Sequence, residues 1–91
     1  MKKRLECRIT GRVQMVMFRD FAQRKATRSG ITGFVKNNPD GSVTMVAEGE
    51  DQNLQTLLEK LKQGPLLARV DHVEATWTEA RGDFSRFDIV F

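Results

Sequence analysis

The sequence is poor in the side chains that commonly act as nucleophiles or metal ligands: it has one cysteine, one histidine and no tyrosine. It also has only two prolines. With Cys7 as its only cysteine, the chain cannot form an internal disulfide or a cysteine-based zinc site. We interpret Cys7 as a small buried hydrophobic residue in a reducing compartment, the cytoplasm. The only histidine, His72, falls within an alternating segment, and we interpret it as a surface residue.

Familiar catalytic motifs are missing too. No serine, threonine or cysteine stands beside a histidine in a nucleophile motif, and no carboxylates or imidazoles cluster at metal-ligand spacing. Neither GxxxxGK[ST] nor GxGxxG occurs, so nucleotide binding has no support. Covalent and metal-dependent mechanisms are therefore disfavoured, and we expect no metal site.

Long apolar runs are also absent. No window reaches the roughly 18 apolar residues that a membrane-spanning helix needs. The basic start MKKRLECRIT is not followed by the apolar segment of a signal peptide, so we expect no membrane partner. A chain of 91 residues has room for one core, and we expect a single domain over residues 1–91.

Charge is present but unevenly distributed. Residues 1–36 hold ten Lys and Arg against two acids, whereas residues 37–91 hold five against ten. Solvated helix faces account for most of these charges. However, the basic half contains the apolar segment GRVQMVMFRDF at 11–21, and the surrounding positive charge favours an anionic ligand there.

Apolar periodicity predicts the order β-α-β-β-α-β, with a short fifth strand after it. We expect Gly11 to end the first strand, Gly30 to follow the first helix, and NPDG at 38–41 to turn a hairpin. The strand segments are Leu5–Thr10, GFVKN at 33–37, SVTMVAEG at 42–49, VDHVEATWT at 70–78 and FDIVF at 87–91; the helices begin at Phe18 and at Glu50.

Two helices with apolar stripes need one face of a sheet to cover them. The order of elements therefore predicts an α+β fold, a ferredoxin-like two-layer α/β sandwich with a mostly antiparallel sheet and both helices on one face. Because that fold hosts many functions, activity has to be inferred from particular residues.

The junction between the first strand and the first helix is the most informative segment. A loop that enters a helix leaves unbonded N–H groups at the positive end of the helix dipole, which suits a phosphate group. Arg19 follows this loop, and its guanidinium could bind two phosphate oxygens. The alternative is that Arg19 is one more solvated helix arginine.

Three segments resemble the acylphosphatase family, and the resemblance extends from Leu5 through Phe91. They are GRVQMVMFRDFA at 11–22, GFVKNNPDGSVTMVAEG at 33–49 and GPLLARVDHVE at 64–74. The first two approximate the patterns G-x-V-Q-G-V-x-F-R and G-x-V-[RK]-N-x-x-D-G. Together these patterns are specific to that family.

The resemblance implies a metal-independent hydrolase that splits a small acyl phosphate into carboxylate and inorganic phosphate. It implies a cytoplasmic, monomeric protein with no cofactor. Arg19 would bind the phosphate and Asn37 would orient the attacking water. The alternative for Asn37 is a strand residue before a turn, although Asn38 could already serve that turn. The residues implied to bind phosphate through the loop are Val13, Gln14, Met15, Val16, Met17, Phe18 and Arg19.

Two competing hypotheses remain. Met15 stands where the family has glycine, a residue suited to positive φ or to close backbone approach. The protein could therefore be a catalytically impaired, anion-binding homologue. A nucleic-acid binder is the third hypothesis, because ferredoxin-like sheets also bind RNA and the isoelectric point is about 9.4. GFVKNN lacks the spaced aromatic pair that stacks bases, so we expect no nucleic acid.

Overall fold

The computed structural model describes all 91 residues and contains five strands and two helices in the predicted order. The ferredoxin-like α+β expectation is confirmed. The strands are β1 (Lys2–Arg12), β2 (Thr32–Asn37), β3 (Val43–Glu50), β4 (Arg69–Glu79) and β5 (Phe87–Val90), and the helices are α1 (Phe18–Arg28) and α2 (Asp51–Gln63).

The strands form one sheet in the order β4-β1-β3-β2-β5. Three of its pairings are antiparallel, and only the β2–β5 pairing is parallel. The sheet is therefore mostly antiparallel, as the sequence predicts. Neither helix is both long and apolar enough to cross a membrane.

The core lies between the sheet and the two helices, and the alternation in β1 correctly predicts which β1 side chains face it. Leu5, Cys7 and Ile9 are buried in one cluster with the apolar stripes of both helices. Burial in that apolar layer raises the pKa of the Cys7 thiol to about 12, against a smaller opposing effect of Lys62. Cys7 is therefore an uncharged packing residue, as expected. The helix residues in the cluster are Phe18, Ala22, Ala26, Leu54, Leu57 and Leu61.

The end of β1 differs from the prediction that Gly11 terminates it. The strand continues to Arg12, and its register with β4 shifts between Thr10 and Gly11. Gly11 has φ +124°, and a Cβ there would lie 2.1 Å from the carbonyl oxygen of Arg69. Glycine therefore allows a bulge with close backbone approach, after which the chain leaves the sheet.

The sheet face opposite the helices carries a buried ion pair that the alternation did not predict. Arg4 and Glu48 are 8% and 5% exposed, and the Arg4 Nη1 lies 2.9 Å from a Glu48 carboxylate oxygen. Glu48 also accepts hydrogen bonds from the N–H groups of Arg81 at 3.0 Å and Gly82 at 2.9 Å. Burial raises the pKa of Glu48, but these hydrogen bonds outweigh it and leave the pKa below its ordinary value. Through its hydrogen bonds with Arg81 and Gly82, Glu48 holds the loop at 80–86 against the sheet.

Two phenylalanines close the same end of this face. Phe84, in the loop at 80–86, meets Phe34 of β2 edge to face, with ring centroids 6.0 Å apart. The guanidinium carbon of Arg4 lies 5.4 Å from the Phe84 ring centroid. These aromatic rings therefore pack against each other and against a cation.

Candidate active site

The β1–α1 loop, residues 13–17, alternates between buried and exposed side chains. Val13 and Val16 are buried, as is Phe18 at the start of α1, whereas Met15 and Met17 are exposed. Both methionines have positive φ, +61° and +65° respectively. Positive φ is expected at Met15, where the family has glycine, but it was not predicted at Met17. The buried side chains anchor the loop in the core, and the backbone changes direction at the two methionines.

The backbone N–H groups of this loop are unused within the protein. None of residues 13–20 donates a backbone hydrogen bond to another protein group. The carbonyl oxygen of Met17, in contrast, accepts from the N–H of Phe21 at 3.0 Å, which begins the helical pattern. The loop and the first turn of α1 therefore form a run of free donors at the positive end of a helix.

Gln14 connects this loop to the hairpin turn, residues 38–42, between β2 and β3. Its side-chain Nε2 donates to the carbonyl oxygens of Asn38 at 2.7 Å and Ser42 at 2.9 Å. Hydrogen bonds to two separate carbonyls fix the distance between loop and turn. Gln14 therefore acts on the site by positioning its backbone.

The hairpin turn satisfies its own polar groups. The Asn38 Nδ2 donates to the hydroxyls of Ser42 at 2.9 Å and Thr44 at 2.8 Å. The Asp40 carboxylate accepts from the hydroxyl of Ser42 at 2.6 Å and from its N–H at 2.9 Å. These two bonds, together with Arg8, hold the pKa of Asp40 well below its usual range. The turn is thus a rigid support for the end of β2.

Asn37, the last residue of β2, has a different environment from its neighbour. Its side-chain Oδ1 is buried and has no hydrogen-bond partner. Leaving a buried acceptor unsatisfied costs about 1–3 kcal/mol. Because Asn38 makes the bonds of the turn, the turn does not require the side chain of Asn37.

A pocket of about 380 Å³ brings the main candidates together. Arg19 and Asn37 share its lining with most of the loop, whereas Gln14 and Val16 do not line it. Nowhere in the chain do three or more His, Cys, Asp or Glu side chains group in a way that could hold a metal. The lining residues are Val13, Met15, Met17, Phe18, Arg19, Asp20, Asn37, Ile89 and Phe91.

Comparison with known proteins agrees with this geometry. The acylphosphatase family model matches residues 5–89. The chain belongs to the acylphosphatase family. It is 51% identical over 79 residues to an acylphosphatase of Thermus thermophilus, covering 87% of this chain and 90% of that one. With an acylphosphatase of Salinibacter ruber it shares 46% identity over 88 residues, covering 97% and 93%.

A solved structure shows the same relationship. The crystal structure of an acylphosphatase from Bacillus subtilis superposes with a TM-score of 0.94 at 35% identity, covering 98% of this chain and 99% of that one. The protein is accordingly a hydrolase of the acylphosphatase family, with the ferredoxin-like fold of that family.

Arg19 is free to act on a ligand in this acylphosphatase fold. It makes no salt bridge, since the neighbouring Asp20 accepts instead from Arg24 at 2.9 Å. The guanidinium carbon of Arg19 lies 4.9 Å from the ring centroid of Phe91. Phe91 and Ile89 also line this pocket, which was not predicted from the sequence. Both residues share the alternation of Phe87 in the sequence, but that alternation does not indicate that they lie near Arg19.

A second, larger groove of about 870 Å³ runs between α1 and β5 and lacks these features. Two of its three arginines are already paired, Arg24 with Asp20 and Arg86 with Asp88. The groove also lies away from the β1–α1 loop. It therefore offers no counterpart to the site built around Arg19 and Asn37.

Proposed function

We propose that this protein hydrolyses small acyl phosphates to a carboxylate and inorganic phosphate. One observation carries the proposal: Arg19 and Asn37 line one pocket, above a loop whose backbone N–H groups have no protein acceptor. A dense set of donors beside one unpaired cation suits the phosphoryl group of such a substrate. The family membership supports the same reaction.

The loop amides of residues 13–18 and the Arg19 guanidinium bind the phosphate. Arg19 supplies charge-assisted bonds to phosphate oxygens, and the N–H groups supply further donors at the positive end of α1. Both act on the ground state and on the more dispersed charge of the transition state. Gln14 holds this loop at a fixed distance from the turn that supports Asn37.

Asn37 positions the attacking water. Its buried, unpartnered Oδ1 accepts a hydrogen bond from the water, which satisfies an otherwise costly group. The water oxygen bonds to phosphorus, and the bond between phosphorus and the acyl oxygen breaks. The electron pair leaves with the carboxylate, and a phosphate oxygen takes the proton of the water.

The substrate itself removes the need for stronger catalysts. A carboxylate is a weak base and a good leaving group, so the protein mainly has to position water and phosphoryl group and stabilise spread charge. Under this proposal the reaction uses no metal and no cofactor. The protein works as a cytoplasmic monomer whose partners are the acyl phosphate and inorganic phosphate.

The conformation of Met15 favours an active enzyme over an impaired homologue. Its backbone has φ +61°, the kind of conformation for which the family's glycine is suited, and its side chain is fully exposed. That conformation costs about 1–2 kcal/mol of folding stability, and the N–H groups of the loop remain without a protein acceptor.

The test is hydrolysis of benzoyl phosphate with EDTA present and orthophosphate as inhibitor. We expect full activity in EDTA and competitive inhibition, because product and substrate share the loop. Activity that disappears in EDTA and returns with a divalent ion would contradict the metal-free mechanism. Noncompetitive inhibition would place the phosphate site elsewhere.

A further inference from the structure

Three exposed apolar side chains surround the candidate active site. Met15 is 100% exposed, Met17 69% and Phe91 98%, and all three line the pocket that contains Arg19 and Asn37. We call Met15, Met17 and Phe91 the apolar rim. Single exposed hydrophobic residues are ordinary on protein surfaces, but a group beside a functional pocket marks a binding surface.

The loop geometry explains why the two methionines contribute to this rim. Val13, Val16 and Phe18 are anchored in the core, and Met15 and Met17 between them have left-handed backbone conformations. Met15 and Met17 are therefore held outside the core by their neighbours on both sides. Methionine side chains are flexible and polarisable, so they adapt to apolar groups of different shape.

We propose that the apolar rim binds the acyl group and selects substrates with apolar, aromatic or branched aliphatic, acyl groups. The proposal rests on the proposed function, which places the phosphate on the loop amides and Arg19. A phosphate held there directs its acyl substituent towards the remaining surface of the pocket. The exposed apolar part of that surface is the rim together with the half-buried Ile89, and the other side chains beside it are the buried Val13 and Phe18, Asp20 and Asn37.

The charged side chains that line the pocket favour a substrate whose acyl group carries no charge of its own. Arg19 is the only cation among the lining residues, and the phosphate occupies it. Asp20 is the only acidic side chain, and it is paired with Arg24. An acyl group with a carboxylate or an ammonium group of its own would lose water there and gain no free partner.

Phe91 has two roles in this arrangement, which the test has to separate. Its ring lies 4.9 Å from the guanidinium carbon of Arg19, close enough for a cation–π contact. Its exposed surface is available for stacking with an aromatic acyl group. Loss of the ring can therefore affect phosphate binding for all substrates, while loss of apolar surface affects only those with large acyl groups.

The experiment compares benzoyl phosphate with acetyl phosphate in Phe91→Ser and Phe91→Leu. Burial of part of a phenyl ring against Phe91 predicts that Phe91→Ser lowers the benzoyl-to-acetyl ratio of kcat/KM by about 5- to 10-fold. Phe91→Leu, which keeps apolar surface, holds that ratio within about 3-fold. Leu66→Ser is the matched control, because Leu66 is equally exposed but does not line the pocket.

Phosphonates measure the same preference without turnover. By calorimetry, wild-type protein should bind phenylphosphonate about 5- to 10-fold more tightly than methylphosphonate, and Phe91→Ser should abolish the difference. Equal affinity for the two phosphonates, or a substrate ratio unchanged in Phe91→Ser, would overturn the proposal. A phosphonate preference in a wild-type protein that hydrolyses neither substrate would support the rim and refute the proposed function.

Discussion

The β1–α1 loop and the hairpin turn lie side by side and are joined by Gln14. They differ in whether their polar groups find hydrogen-bond partners within the protein. The turn places its positive φ at Gly41 and pairs its polar groups internally. The loop places positive φ at Met15 and Met17, and its N–H groups have no partner in the protein.

This difference shows that a segment connecting two elements can serve either stability or ligand binding. A turn whose hydrogen bonds are complete contributes to stability, since each bond adds about 0.5–1.5 kcal/mol. A loop that withholds its donors contributes little to stability but keeps them available to a ligand. Asn37 lies at the end of β2, directly before the rigid turn, but its own side-chain acceptor is unsatisfied.

The largest effect is expected from the two site side chains. Asn37→Ala should lower kcat about 10²-fold or more with little change in orthophosphate affinity, because in the proposed mechanism Asn37 contacts only the water. Arg19→Ala should weaken orthophosphate binding about 10- to 100-fold and reduce turnover as well, because its charge acts in both states. Steady-state kinetics and calorimetry with orthophosphate measure both quantities.

Two matched variants serve as controls for this pair. Asn38→Ala removes bonds of the turn and should lower the free energy of unfolding by about 1–2 kcal/mol, with kcat within about 3-fold of wild type. Arg28→Ala removes an exposed, unpaired arginine from the same helix as Arg19 and should leave phosphate affinity unchanged. Equal loss of phosphate affinity in Arg19→Ala and Asn37→Ala would show that their roles are wrongly divided.

A smaller effect is expected from Gly41→Ala. Gly41 has φ +93°, and no atom lies within 4 Å of the position a Cβ would take. The cost is therefore backbone strain alone, about 1–2 kcal/mol off the free energy of unfolding. Denaturant titration measures the loss, while kcat/KM for acetyl phosphate should stay within about 2-fold. A wild-type stability in this variant would mean that the turn accepts side chains freely.

The smallest effect is expected from the reciprocal change, Met15→Gly. Glycine relieves strain but adds unfolded-state entropy, so the free energy of unfolding should rise by less than about 1 kcal/mol. Acetyl phosphate has little acyl surface for the rim, so its kcat/KM should change by less than about 3-fold. A gain of roughly 5- to 30-fold, equivalent to about 1–2 kcal/mol, would instead support the impaired homologue.

Local signals predicted most of the fold. Alternation in β1, the apolar stripes of the helices and the NPDG turn depend on nearby residues, and the structure confirms each. The bulge at Gly11 was not predictable, because it depends on the carbonyl of Arg69 on another strand. The Arg4–Glu48 pair was missed for the same reason, since a distant loop covers it.

The candidate site was predictable only in part. The family pattern indicated the loop, Arg19 and Asn37, which the structure places in one pocket. The left-handed conformation of Met17 gave no sequence signal, because methionine has no preference for it. Phe91 reaches Arg19 only because β5 pairs in parallel with β2, a long-range arrangement that spacing cannot reveal.

The position of β1 in the sheet has a consequence for how the chain folds. β1 precedes every other strand in the chain, yet it lies between β3 and β4, and Lys3 pairs with Glu79, 76 residues later. Before residues so far apart in the sequence can make stabilising contacts, the chain between them must close a loop, which costs entropy. This requirement slows folding relative to helical proteins of this size. During synthesis, β1 emerges before either partner exists, with its apolar face uncovered. Substitutions that weaken the β1–β4 pairing will therefore lengthen the period in which the nascent chain is open to aggregation.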